Sequence, residues 1–274
     1  MINIIFYETV IFIFSSKYSM MNGNFVLSVG GARGFAHLGV IKALQEFGVQ
    51  INEISGVSAG AVMGAFICDG FHPEEIKEIF LRNKLKKSPN FYSWREGLFL
   101  LTDLEKTLKN NLRSKKIEQL KNPLYITVCN VQNGQKEIFQ AGDLVKSLLA
   151  TCSVPGIFPP VEINGNKYAD GGINCNFPTA PLETKSEPIV GISVNPSFNY
   201  DKKNGLLLNL DRTINIMLRQ MSESNFKNCK LFIEPDELYQ FQIFENNQVQ
   251  QIFSIGYNHV IKTYSKSKIK NTLK

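Results

Sequence analysis

An α/β fold, with a mainly parallel sheet covered by helices on both faces, is what this 274-residue sequence predicts. Three observations point there. Strand-like apolar runs alternate with helix-period segments early in the chain, and glycine turns follow the first two runs. The composition, 43% hydrophobic and 20% charged with no repeat or low-complexity block, is that of one globular unit. Alternating strands and helices build parallel sheets with both faces buried.

The elements follow in order. Residues 4–14 are apolar, but Glu8 interrupts them and no Lys or Arg precedes them. The run is too short to span a bilayer and lacks a signal peptide's basic start and cleavage site. Residues 1–20 therefore read as an extension outside the core, with membrane anchoring as the alternative, and 21–274 as one domain. A strand over 25–29 runs into Gly30-Gly31-Ala32-Arg33-Gly34, and a helix over 35–47 ends at Gly48. A second strand over 49–54, a second glycine turn and a helix over 59–67 repeat the pattern. Pro73-Glu74-Glu75 starts a helix reaching about residue 86. A cluster containing Phe91, Tyr92, Trp94 and Phe99 follows, read as a core-facing segment or as a lid that meets lipid.

Further on, 103–112 is helical with Thr102 as its cap. Strands over 124–131 and 136–140 form a hairpin across Asn133-Gly134. A short helix at 143–151 precedes a second hairpin, 161–163 with 167–168, across Asn164-Gly165. A buried strand at 188–194, a long helix near 207–229, a strand at 231–234 and a helix near 249–265 complete the reading.

Five cysteines, an odd number without a C-x-x-C pair, argue for reduced thiols in a cytosolic protein. The net charge of +6 gathers at Lys84, Lys86, Lys87 and over 262–274. A solvated face accounts for it, with an anionic lipid surface or nucleic acid as the alternative. The lysines at 84–87 also suit a helix C-terminus.

Chemistry concentrates in three places. Gly56-Val57-Ser58-Ala59-Gly60 joins a strand to a small-residue helix, where a serine is held on a strained turn with its hydroxyl outward. Glycines on either side allow the sharp bend, and the helix start sets positive partial charge beside the hydroxyl. G-x-S-x-G arises readily by chance, so it needs companions. Gly30-Gly31-Ala32-Arg33-Gly34 sits at another strand-to-helix turn, where successive small residues can form a concave anion site. A phosphate loop is excluded by the missing G-x-x-x-x-G-K-[ST]. A dinucleotide fingerprint fits poorly, with only Glu53 near the required distance.

A serine also needs a base. Of His37, His72 and His259, only His259 follows a Ser…Asp…His order, and its late helix offers no turn to position it. Asp170, in Tyr168-Ala169-Asp170-Gly171-Gly172 at the end of a hairpin strand, is the better candidate. Burial there would let its carboxylate take the serine proton directly. An ordinary Asp-Gly turn is the competing reading.

These pieces, in this order, resemble the patatin-like phospholipase family of serine acyl hydrolases. The resemblance runs from about residue 24 to 196. It is carried by Gly30 to Gly34 with Ala36-His37-Leu38-Gly39-Val40, by Gly56 to Gly60, by the 150–160 segment Ala-Thr-Cys-Ser-Val-Pro-Gly-Ile-Phe-Pro-Pro, and by Asp170-Gly171-Gly172 with Asn176 and Pro178. It implies a three-layer α/β/α architecture with Ser58 and Asp170 as a catalytic dyad. Gly56 and Gly60 would shape the nucleophile elbow, and Gly171 and Gly172 the aspartate turn. Gly30, Gly31, Ala32, Arg33 and Gly34 would supply the oxyanion hole. Arg33 would either attract a lipid phosphate or serve the structure. No metal or other cofactor is implied.

The implied activity is hydrolysis of fatty-acyl esters of phospholipids or lysophospholipids through an acyl-enzyme. A non-catalytic lipid-binding or scaffold protein on the same fold is the alternative. The expected partner is lipid rather than nucleic acid, met in the cytoplasm with peripheral membrane contact. One departure stands out: the family commonly has three consecutive glycines in the loop, and Val29 occupies the first position.

Overall fold

The structure, a computed structural model, describes residues 21–83, 101–197, 206–243 and 248–274. The lysines at 84, 86 and 87 and the aromatic cluster from residue 91 lie outside these residues, as does 1–20. Strand β1 (Met21–Leu27) leads through a short 3₁₀ turn (Gly31–Gly34) into helix α1 (Phe35–Glu46). Strand β2 (Val49–Val57) passes directly into α2 (Ala59–Cys68), and α3 (Pro73–Arg82) follows. Next come α4 (Thr102–Asn111), the hairpin β3 (Leu124–Asn130) and β4 (Lys136–Phe139), and α5 (Leu144–Thr151). A second hairpin, β5 (Val161–Ile163) and β6 (Asn166–Asp170), precedes β7 (Ile189–Ile192). Helix α6 (Leu206–Phe226), β8 (Leu231–Ile233), α7 (Val249–Thr263) and α8 (Lys266–Leu273) close the chain.

The strands form one sheet in the order β5-β6-β3-β2-β1-β7-β8, with β4 also on β3. β1 pairs in parallel with β2 and β7, β2 with β3, and β7 with β8, whereas β4, β5 and β6 join antiparallel. The predicted α/β class with a mainly parallel centre is the fold. Strand alternation sorts the core. Phe25 and Leu27 join the large cluster under α1, α2, α3 and α7, while Val26 joins a smaller one with Tyr125, Phe177, Leu182 and Phe226. Helices and turns thus cover both faces.

Two readings change. The cap of α4 is Leu101, and Thr102 is already helical. The lysine-rich tail past residue 265 is not only a charged face: it folds as α8, capped by the Ser265 hydroxyl on the Lys268 N–H, and buries Ile269 and Leu273 near β1 and β8. Only two apolar residues at i,i+4 carry that helix, too few for periodicity to register. All five cysteines are free thiols. No helix among the described residues is long and apolar enough to cross a membrane.

Candidate active site

Strand order reverses about β1, which has β2 on one side and β7 on the other. In open α/β sheets the crevice beyond the carboxyl ends of such strands is where ligands bind. The chain leaving β1 there is the 30–34 loop, and the residue leaving β2 is Ser58.

Ser58 has φ 51° and ψ −126°, one of two non-glycine residues with positive φ among those described. That conformation costs of order 1–3 kcal/mol and persists only where its surroundings enforce it. The enforcement is visible. A Cβ on Gly56 would lie 2.8 Å from the Ala61 nitrogen, and one on Gly60 would lie 2.4 Å from the Leu27 carbonyl oxygen. Only hydrogen at these positions lets α2 fold back so tightly onto β1 and β2. The Ser58 carbonyl accepts from Val62 N–H, and its own N–H donates to Thr151 Oγ1 at 2.8 Å. Its side chain stands at the start of α2, where the macrodipole is positive, and Ser58 is only 9% exposed.

Asp170 ends β6 and is 6% exposed. Its Oδ1 accepts the Gly172 N–H at 2.8 Å, and its own N–H donates to the Ser153 carbonyl at 2.9 Å. Burial pushes its carboxyl up to about 6, opposed by hydrogen bonding with the Ser58 hydroxyl and with Gly172. At neutral pH it is a buried anion beside a hydroxyl, the arrangement needed to accept a proton. Gly171 sits against the end of β3, where a Cβ would lie 2.4 Å from the Thr127 carbonyl oxygen.

The glycine loop reaches the same place but divides its labour. Gly31 takes φ 52°, and the N–H groups of Gly30 and Gly31 have no acceptor among the described residues. Ala32 N–H is engaged with the Ile243 carbonyl at 2.7 Å and Arg33 N–H with Gly30 at 3.0 Å. The expectation that all five residues present donors is therefore corrected, because Ala32 and Arg33 spend theirs on the protein. Gly34 packs on Ala59 of the elbow helix. Of Arg33's two expected roles the structural one is observed: its guanidinium is fully buried and bonds the Phe241 carbonyl and Asn215 Oδ1. It ties the loop to α6 and to the segment after β8.

The departing residue, Val29, is also buried. Its N–H donates to the Asn176 carbonyl and its carbonyl accepts from Asn195 Nδ2 at 2.6 Å. A Cβ built on Gly172 would lie 3.0 Å from both Val29 Cγ1 and Asp170 Oδ1, so this valine packs over the aspartate turn.

Neither Ser58 nor Asp170 is a hydrogen-bond partner of the three histidines among the described residues. His37 is buried on α1 with Nε2 3.0 Å from the Ser28 carbonyl, and burial pulls it down to about 4. Neutral, it donates to the strand end that enters the loop. His72 caps α3 through Glu75, and burial lowers His259 on α7, opposed by the charges of Glu237 and Asp236. Glu53 is bound by Tyr125 and Lys185, away from any nucleotide role. No group of three His, Cys, Asp or Glu side chains suited to a metal stands together among the described residues.

The patatin-like phospholipase model matches residues 25–183, which contain the loop, the elbow and the aspartate turn. The chain belongs to that family. Among its relatives is an uncharacterized NTE family protein of Mycobacterium bovis, 33% identical over 175 residues, covering 62% of this chain and 48% of that one. Lysophospholipase NTE1 of Kluyveromyces lactis is 29% identical over 180 residues, covering 60% of this chain and 12% of its own. The chain thus spans about half the length of the mycobacterial relative and far less of the yeast one. Among solved structures, VipD from Legionella pneumophila shares the patatin-like fold with a TM-score of 0.54 at 16% identity, covering 88% of this chain and 66% of that one.

Sequence reasoning missed the supports of this patatin-like site. Thr151 holds the Ser58 N–H, and the Ser153 carbonyl holds the Asp170 N–H. Asn176 and Asn195 hold Val29. Thr, Ser and Asn are ordinary turn and cap residues, so nothing in their spacing signals these contacts.

Proposed function

We propose that this protein hydrolyses fatty-acyl esters of phospholipids or lysophospholipids, with Ser58 as nucleophile and Asp170 as its base. The observation that carries the reading is the strained Ser58 facing a buried, ionised Asp170 at the carboxyl ends of the central strands. Family membership and relatives named lysophospholipase support the substrate class.

In this mechanism Asp170 takes the proton of Ser58 Oγ as that oxygen attacks the ester carbonyl carbon. The N–H groups of Gly30 and Gly31 receive the developing oxyanion, aided by the positive end of α2. Collapse breaks the bond to the leaving alcohol, which takes the proton from Asp170 and departs. Water then attacks the acyl-enzyme, giving its proton to Asp170, and the fatty acid leaves with Ser58 restored. The site is reached peripherally, by lipid entering from a membrane or micelle surface.

The test is labelling with a fluorophosphonate probe, followed by product analysis on phosphatidylcholine and lysophosphatidylcholine. Wild type should react and release fatty acid, while folded Ser58→Ala and Asp170→Asn should do neither. Turnover retained by Ser58→Ala would remove the serine from the mechanism. Unlabelled wild type would favour the lipid-binding alternative.

A further inference from the structure

Two residues at the end of α5, Thr151 and Ser153, hold the backbone N–H groups of Ser58 and Asp170. Thr151 Oγ1 accepts the Ser58 N–H at 2.8 Å and donates to the Thr127 carbonyl at 2.6 Å. The Ser153 carbonyl accepts the Asp170 N–H at 2.9 Å. The turn is itself stiff: Cys152 N–H bonds Leu149, Ser153 N–H bonds Ala150, and the Ser153 hydroxyl bonds the Leu149 carbonyl. Thr151 is fully buried, so its hydroxyl has no water to fall back on.

A buried N–H left without an acceptor bears the full cost of its lost hydration. At Ser58 that N–H belongs to the residue already in a strained conformation, so losing its acceptor removes the contact that fixes the elbow's rotation. The Thr127 carbonyl is the common anchor, since it receives the Thr151 hydroxyl and abuts Gly171.

We propose that the 151–153 turn is the gauge that sets the spacing of Ser58 and Asp170, with Thr151 as its positioning residue. The inference rests on the Ser58–Asp170 reading above. Thr151 touches no reacting atom; it acts through the backbone of the serine. Its hydroxyl has to accept and donate at once, which serine can do and valine or alanine cannot.

The experiment compares wild type, Thr151→Ser, Thr151→Val, Thr151→Ala and Ser58→Ala. For each, the fluorophosphonate labelling rate, kcat and KM on a p-nitrophenyl ester, and the urea midpoint are measured. Thr151→Val should label and turn over roughly 10- to 100-fold more slowly with KM little changed, since small misplacements of reacting groups cost rates of that size. Thr151→Ser should recover to within about threefold of wild type, because it restores both hydrogen bonds. If Thr151→Val does not fold, Thr151→Ala, lacking the same hydroxyl without the added methyl, carries the comparison. A folded Val or Ala variant at the wild-type rate, or a Ser variant as slow as Val, would overturn the proposal while leaving the dyad intact. A wild type that, like Ser58→Ala, does not label would overturn the dyad and this inference with it.

Discussion

Val57 and Asp170 meet end to end along one edge of a single strand. β3 pairs Thr127 with Val57 and its next residue, Val128, with Asp170. Ile126 and Val128 also pair with Phe139 and Glu137 of β4, so β4 takes one edge of β3 while β2 and β6 share the other. β2 arrives parallel to β3 and β6 antiparallel, so the two run head-on. Successive residues of a strand are about 3.3 Å apart, and the register therefore brings the ends of β2 and β6, with Ser58 and Asp170, close together. Backbone pairing on β3 thus sets the neighbourhood of the two residues, within which the 151–153 turn holds the Ser58 and Asp170 N–H groups.

Strain at Ser58 has a measurable consequence. Its φ of 51° suits glycine, so Ser58→Gly relaxes the elbow whereas Ser58→Ala keeps the strain. Glycine's greater unfolded-state entropy, about 0.5–1 kcal/mol, offsets part of the 1–3 kcal/mol relieved. Ser58→Gly is expected to unfold at a higher urea concentration than Ser58→Ala, by about 1 kcal/mol. The reverse order would mean that the elbow is not strained.

Asp170 should govern the pH profile. Only its ionised form accepts the serine proton, so activity should fall as pH drops through about 6. Stability runs the other way. Below its ordinary value of 3.8, folded and unfolded chains both hold the proton. Between 3.8 and about 6 only the folded chain keeps it, so stability falls as pH rises through that window and stays low above it. The penalty approaches about 3 kcal/mol at neutral pH. Asp170→Asn escapes it. Its advantage in urea unfolding over wild type should be seen above pH 6 and vanish below pH 4; a pH-independent gap would refute the assignment.

Much of this was legible in the chain itself, and the reason is physical. Gly56, Gly60 and Gly171 are glycines because backbone passes where a Cβ would be, so their spacing records the close approaches directly. Strand-turn-helix patterning located Ser58, and the hairpin turn located Asp170. Nothing in the sequence showed that Ala32 N–H is bound by Ile243, or that Arg33 turns inward to Phe241. Those partners come from more than 200 residues downstream, and Arg33 alone contacts one at a sequence separation of 208. Thr151 was hidden differently: a threonine ending a helix looks the same whether or not its hydroxyl holds another residue's N–H.

Arg33 should prove structural. Lysine keeps the charge but cannot reproduce a planar fork that bonds the Phe241 carbonyl and Asn215 together. Arg33→Lys should lose about 3 kcal/mol or more in urea unfolding, because a buried charge with broken partners is costly. Binding of the folded fraction to anionic phosphatidylglycerol vesicles should not change. A selective loss of vesicle binding with stability intact would return Arg33 to a headgroup role.

Gly60 offers the sharpest separation of packing from positioning. A Cβ there would sit 2.4 Å from the Leu27 carbonyl oxygen and 2.6 Å from that of Ser28, backbone atoms of the strand end that enters the glycine loop. Neither can yield without moving the loop, so Gly60→Ala must drive α2 and the 30–34 turn apart. Gly64, one turn along the same helix, is a fair control. Its Cβ would meet side-chain carbons of Ile54 at 2.9 Å and Leu124 at 3.2 Å, which can shift their rotamers. Overpacking of either kind costs about 1–3 kcal/mol, so both variants should be destabilised to a similar degree. Only Gly60→Ala separates the elbow from the Gly30 and Gly31 donors, and a shift near 1 Å is enough to cost about 100-fold in rate. Fluorophosphonate labelling should therefore collapse in Gly60→Ala and survive in Gly64→Ala. Equal labelling of the two at equal stability would mean that the loop does not have to touch the elbow for the serine to react.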